Sequence, residues 1–143
     1  MNVKEFLKQT TRFYKSTFTN CIVEKTRPHI ICKDGFSVSV QAGLFGSWYD
    51  TISVYHGLSG VGGVSFDAVE LGFPSEADEL ILEYAEEPER PTKTVYGYVP
   101  IDVVEALITK HGGIDEEKTN IYPGTIREDG LEVYSDYSDI MYI

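Results

Sequence analysis

Three histidines and two cysteines are the side chains of this 143-residue chain best suited to metal or nucleophilic chemistry. His29 and Cys32 stand in a run, His29-Ile30-Ile31-Cys32-Lys33, that reads as a β-strand. Strand residues three apart face opposite sides, so this pair does not share one ion. Cys21, His56 and His111 have no ligand spacing, and no metal site is expected. A Cys–His nucleophile pair needs only to meet in space, which keeps a small thiol or hydrolytic enzyme using Cys32 open as an alternative. Against it, a cysteine beside a hairpin turn is more often a small packed residue than a thiolate.

Other residue groups fall short of a chemical signature. The glycines of GLFG (43–46) and GLSGVGG (57–63) are followed by no Lys-Ser or Lys-Thr, so neither is a phosphate-binding loop. Glu86-Glu87, Glu116-Glu117, Glu128-Asp129, Asp136 and Asp139 lie in polar stretches. Acid–base work needs one carboxyl shifted by burial, and these read as solvated. No catalytic residue and no cofactor is expected.

Charge says more. The net charge is -11, from 23 acids and 12 bases, and it is unevenly placed. Residues 1–36 hold seven bases and three acids, whereas the rest holds 20 acids and five bases, a surplus of 15 negative charges. Such a surface repels phosphate, so direct nucleic-acid binding is disfavoured. It attracts basic surfaces, including those of proteins that themselves bind nucleic acid. Trp48-Tyr49 in a glycine-rich stretch, and Tyr134 and Tyr137 among the acids of the tail, are aromatic anchors of the kind that interfaces use.

The elements that must position these groups point to an α+β fold. Val3, Phe6, Leu7, Thr10, Phe13 and Tyr14 follow helical spacing over 2–15, with Asn2 as N-cap. Asp34-Gly35 between two strand-like runs predicts a two-residue hairpin, with Ile31 opposite Val38 and His29 opposite Val40 on the buried face. A short strand at 51–55 and another at 64–73 follow. Pro74-Ser75 and the acids behind them predict a helix to about Glu87. Thr94–Val99 reads as a strand, and Pro100 to His111 as a helix ended by Gly112-Gly113. The sum is a mostly antiparallel sheet of about four to six strands with about three helices packed on it. Residues 1–114 form one domain, and 115–143 an acidic, tyrosine-rich segment packed on the same domain. With 42% apolar residues the chain has the material for a core. No apolar run reaches membrane-spanning length and the N-terminus has no signal-like stretch, so a cytoplasmic location, without membrane association, is expected.

Three stretches together resemble a group of small uncharacterised proteins carried by bacteriophages and other mobile elements. They are Cys32-Lys-Asp-Gly-Phe-Ser-Val-Ser-Val-Gln-Ala42, Val69-Glu-Leu-Gly-Phe-Pro-Ser75, and Val95-Tyr-Gly-Tyr-Val-Pro100 with Lys110-His-Gly-Gly113. The resemblance covers roughly residues 1–114. It implies a setting in which small acidic proteins block host defence, as anti-CRISPR proteins do. The expectation is a non-enzymatic binding protein that mimics nucleic acid and docks on a basic partner, a CRISPR effector or another nucleic-acid-binding protein. Trp48, Tyr49, Glu116, Glu117, Glu128, Asp129, Tyr134, Asp136, Tyr137 and Asp139 are the expected contacts. A virion or mobile-element assembly protein acting as a homo-oligomer is the alternative.

Overall fold

In the computed structural model of the chain, which describes residues 1–10, 13–15, 22–24, 26–42, 51–54 and 65–121, the first helix, α1, runs Val3–Gln9. The Asn2 side-chain oxygen accepts from the Glu5 N–H at 2.8 Å, filling a donor that every helix start leaves open. Val3, Phe6, Leu7 and Thr10 make its buried stripe. The helix stops short of the expected Lys15. Thr10 is the cap, and its hydroxyl donates to the Phe6 carbonyl at 2.6 Å while accepting from Arg27 Nε at 3.0 Å. Thr10 and Thr11 are both β-branched, which weakens a continuing helix. The chain instead forms β1 (Phe13–Lys15), paired antiparallel with β2 (Ile22–Glu24), a hairpin the sequence pattern did not announce.

The Asp34-Gly35 hairpin is present, with a register one residue from the predicted one. Ile30 in β3 (Ile30–Ile31) faces Val38 in β4 (Ser37–Gln41), and Ile31 faces Ser37. The loop has three residues, Lys33 to Gly35, closed by Gly35 N–H to the Cys32 carbonyl at 2.9 Å and Cys32 N–H to the Phe36 carbonyl at 2.7 Å. Gly35 alone takes positive φ, +94°. Asp34 uses its side chain, Oδ1 accepting from the Phe36 N–H at 2.8 Å. A one-residue slip exchanges the two faces of a strand. Ile30 and Cys32 therefore point into the core, Ile31 is half-buried, and His29 is exposed.

β6 (Ser65–Gly72) is the spine of the sheet. β7 (Val95–Pro100) pairs along it from Ala68 to Gly72. β4 therefore takes the opposite edge, from Ser39 against Gly72 to Gln41 against Glu70. β5 (Thr51–Val54) continues that edge from Thr51 against Ala68. Strands β3 to β7 are all antiparallel; β4 to β7 share the main ladder and β3 joins through β4. Val69 and Leu71 are fully buried, but Phe73, expected to continue their alternation, is 52% exposed at φ +50° where the strand has ended.

The second helix, α2 (Ile101–Lys110), packs Ile101, Val104, Leu107 and Ile108 against β6, β7 and α1. Each of these aliphatic side chains stabilises the fold by about 1.5–3 kcal/mol through burial. The helix ends as Gly112-Gly113 predicts: Gly113 N–H reaches the Ile108 carbonyl at 2.9 Å and Gly112 N–H that of Thr109 at 3.0 Å. Residues 114–121 then run beside β3. Ile114 bridges Cys32, Asp115 N–H donates to the Ile31 carbonyl at 2.8 Å, and buried Thr119 accepts from Ile31 N–H at 3.0 Å. Among the described residues there are two α-helices, not about three, and no helix is long and apolar enough to cross a membrane.

Candidate partner-docking surface

The missing helix is the structurally informative departure. Residues 75–89 contain seven acids and no base. In a helix Glu76 and Glu79, Glu79 and Glu83, and Glu83 and Glu87 would be stacked like charges, each pair destabilising. Tertiary partners also take the residues expected to cap it. Ser75 pairs with β4: its N–H donates to the Ser37 carbonyl at 2.8 Å and its hydroxyl oxygen accepts from the Ser37 N–H at 2.9 Å. Asp78 Oδ1 accepts from the Leu80 N–H at 3.0 Å, closing a local turn, while its Oδ2 is taken by Lys110 of α2 and by His111 at the end of that helix. What forms is an irregular strap with one 3-10 turn, Leu82–Tyr84.

The strap is pinned along the fold. Ile81 is its fully buried plug in the core. Farther along, Ala85 bridges Tyr96 of β7, and Glu86 N–H donates to the Val95 carbonyl at 3.0 Å. Tyr96 is fully buried and its hydroxyl donates to the Pro91 carbonyl beyond the strap. With this backbone fixed, Glu76, Glu79, Glu83, Glu86, Glu87 and Glu89 all face solvent. Leu80 and Leu82 are exposed between them, at 37% and 41%. Exposed leucines among fixed carboxylates give one surface both steering charge and apolar contact. Glu70, buried in β6, shows the density of charge: burial raises its carboxyl above the ordinary range, and the Glu86 carboxylate raises it further.

A second pin is ionic. The His111 ring, at the C-terminal end of α2, lies parallel on the Phe36 ring, centroids 3.9 Å apart. Its Nδ1 is 2.7 Å from Asp34 Oδ2 on the hairpin turn, and its Nε2 is 3.0 Å from Asp78 Oδ2 on the strap. Lys110 Nζ adds a contact to Asp78 Oδ2 at 3.1 Å. Burial alone would depress the imidazole, but hydrogen bonds and charge from both carboxylates outweigh it and hold His111 above the usual histidine range. Asp34 is lowered by the Phe36 amide and by His111. Burial would raise Asp78; the Leu80 amide, His111 and Lys110 overcome it and hold the carboxyl low. The two carboxylates sit on opposite ring nitrogens, so they do not converge on an ion. Among the described residues no cluster suited to a metal ion occurs.

Cys32 is fully buried as a free thiol, and burial, then the Asp34 charge, pushes it up to about 11. That is the opposite of an activated nucleophile, which is exposed and shifted down.

Of the contacts expected from sequence, Glu116 and Glu117 are exposed beside an open depression of about 440 Å³, lined also by Met1, Lys33 and Ile114. Glu116 Oε2 spends part of its charge on the Met1 amino group, 3.2 Å away. Trp48, Tyr49, Glu128, Asp129, Tyr134, Asp136, Tyr137 and Asp139 lie outside the described residues, as do Cys21 and His56. The strap carboxylates, Leu80 and Leu82 were not among the expected contacts. In the sequence the acids behind Ser75 read as the start of a helix and Glu86-Glu87 as solvated, which gave them no binding role. No family model, no curated protein and no solved structure matches the chain.

Proposed function

We propose that this protein is a non-enzymatic acidic binding protein whose strap, residues 75–89, docks on the basic nucleic-acid-binding surface of another protein. The observation that carries the reading is the strap itself: six exposed glutamates on a backbone fixed to β7 and α2, uninterrupted by any base. Exposed carboxylates on a strap pinned at Ser75, Ile81 and Ala85 offer a basic channel negative charge in place of phosphates, and steer the encounter over a Debye length. Leu80 and Leu82 supply contact area that water screening does not weaken.

The bacteriophage or mobile-element setting suggested by the sequence resemblance makes a host defence protein, a CRISPR effector among them, the proposed partner class. The test is capture from a host lysate followed by competition. The bound protein should be released by an unlabelled nucleic-acid duplex, and its affinity should fall as salt is raised from about 50 to about 200 mM, because salt screens the attraction between carboxylates and a basic surface. A captured protein that ignores both competitors would refute the mimicry.

A further inference from the structure

We propose that His111 is a proton-operated clasp that fastens the acidic strap to the domain. Its link to docking rests on the function proposed above; its operation does not. One ring joins three elements that are distant in sequence: the hairpin turn through Asp34, the strap through Asp78, and α2, which carries the histidine. A protonated ring has two N–H donors, one for each carboxylate. A neutral ring keeps one, so one carboxylate meets a nitrogen lone pair and the ionic attraction to both is lost.

The groups that meet the ring are the Asp34 carboxylate on the turn, Phe36 stacked on one face and Asp78 from the strap, with Lys110 of α2 reaching it through Asp78; Lys33 precedes Asp34 on the turn. Lys33 is positioned by its N–H bond to the Gly113 carbonyl at 3.0 Å. Lys110 stays on Asp78 when the ring is neutral, and Glu86 stays on Val95, so the strap loosens between Ser75 and Ala85 without being shed. The sign follows from the direction of each shift. His111 is raised, so the fastening is complete below the unfolded histidine value near 6.5 and is lost as pH rises through the higher folded value. Asp34 and Asp78 are lowered, so they fasten above their ordinary value of 3.8 and fail only as pH falls through their lower folded values. Between those limits the clasp is shut.

Amide hydrogen exchange on the free full chain, expressed as protection factors across pH 5 to 9, tests this without a partner. Protection at Leu80, Ile81, Tyr84 and Ala85 should fall several-fold with the same midpoint as the His111 ring in an NMR titration, while Val69, Leu71 and Leu107 hold theirs. His111→Gln should remove that pH dependence. Asp34→Asn alters no strap residue and should move the midpoints of the ring and of strap protection to lower pH together, whereas a histidine that does not fasten the strap would move its own midpoint alone. Strap protection that tracks the core at every pH, or a midpoint that Asp34→Asn leaves in place, would overturn the clasp. Neither result would touch the docking reading, whose test is competition for a partner.

Discussion

Two carboxylates flank the His111 ring and hold it above the usual histidine range, and stability should depend on pH accordingly. Replacing it with Gln leaves the Asp78 carboxylate, whose side chain is 3% exposed, with Lys110 as its ionic partner. We expect His111→Gln to cost about 1.5–3 kcal/mol at pH 6, the range for losing a hydrogen bond to a charged group that keeps other partners. The difference from the parent chain should shrink as pH rises through the folded value of the ring, because the parent loses the same interaction. Urea denaturation at pH 6 and pH 9 measures this; an equal cost at both would mean that the ring acts by packing on Phe36 alone. Cys32 gives an independent residue-scale prediction. With the thiol at about 11 and buried, alkylation by iodoacetamide in the native protein should be at least about 100-fold slower than for a free thiol. A faster rate would restore the thiol-enzyme alternative.

At the scale of elements, local signals read well where one element decides its own conformation. Asn2 at α1, the Val38 and Val40 alternation in β4, and Gly112-Gly113 behind α2 all act through neighbouring backbone, and each is found where the sequence places it. Two of the departures involve a distant residue. Thr10 ends α1 while bound to Arg27, seventeen residues on. Asp78 keeps a local bond to the Leu80 N–H through Oδ1 but is held through Oδ2 by His111, 33 residues away. The hairpin register slipped for a local reason, since Asp34 used its side chain and left Gly35 alone with positive φ. Gly112 shows both kinds of constraint together. It sits at φ +93°, and an added Cβ would lie 3.3 Å from Lys33 Cβ on the turn. Gly112→Ala should therefore destabilise by about 1–3 kcal/mol, and Gly112→Asn, more tolerant of positive φ, by less. Thermal unfolding of the two variants checks the order; equal losses would point to crowding against the turn as the whole cause.

Across the whole molecule, the sequence carried the charge asymmetry but not its placement. A run of carboxylates at 75–89 is a neutral fact until its backbone is fixed, and the fixing comes from β7, the core plug Ile81 and the ring of His111. The central claim, that this strap is the docking face, is tested most directly by charge removal at two places. One variant changes Glu76, Glu79, Glu83, Glu86, Glu87 and Glu89 to Gln; the other changes Glu116 and Glu117. All eight are exposed, so both variants should fold with stability near that of the parent. Capture of the nucleic-acid-displaceable partner should weaken about tenfold or more in the strap variant and little in the other. Undiminished capture by the strap variant, with its fold intact, would contradict the account.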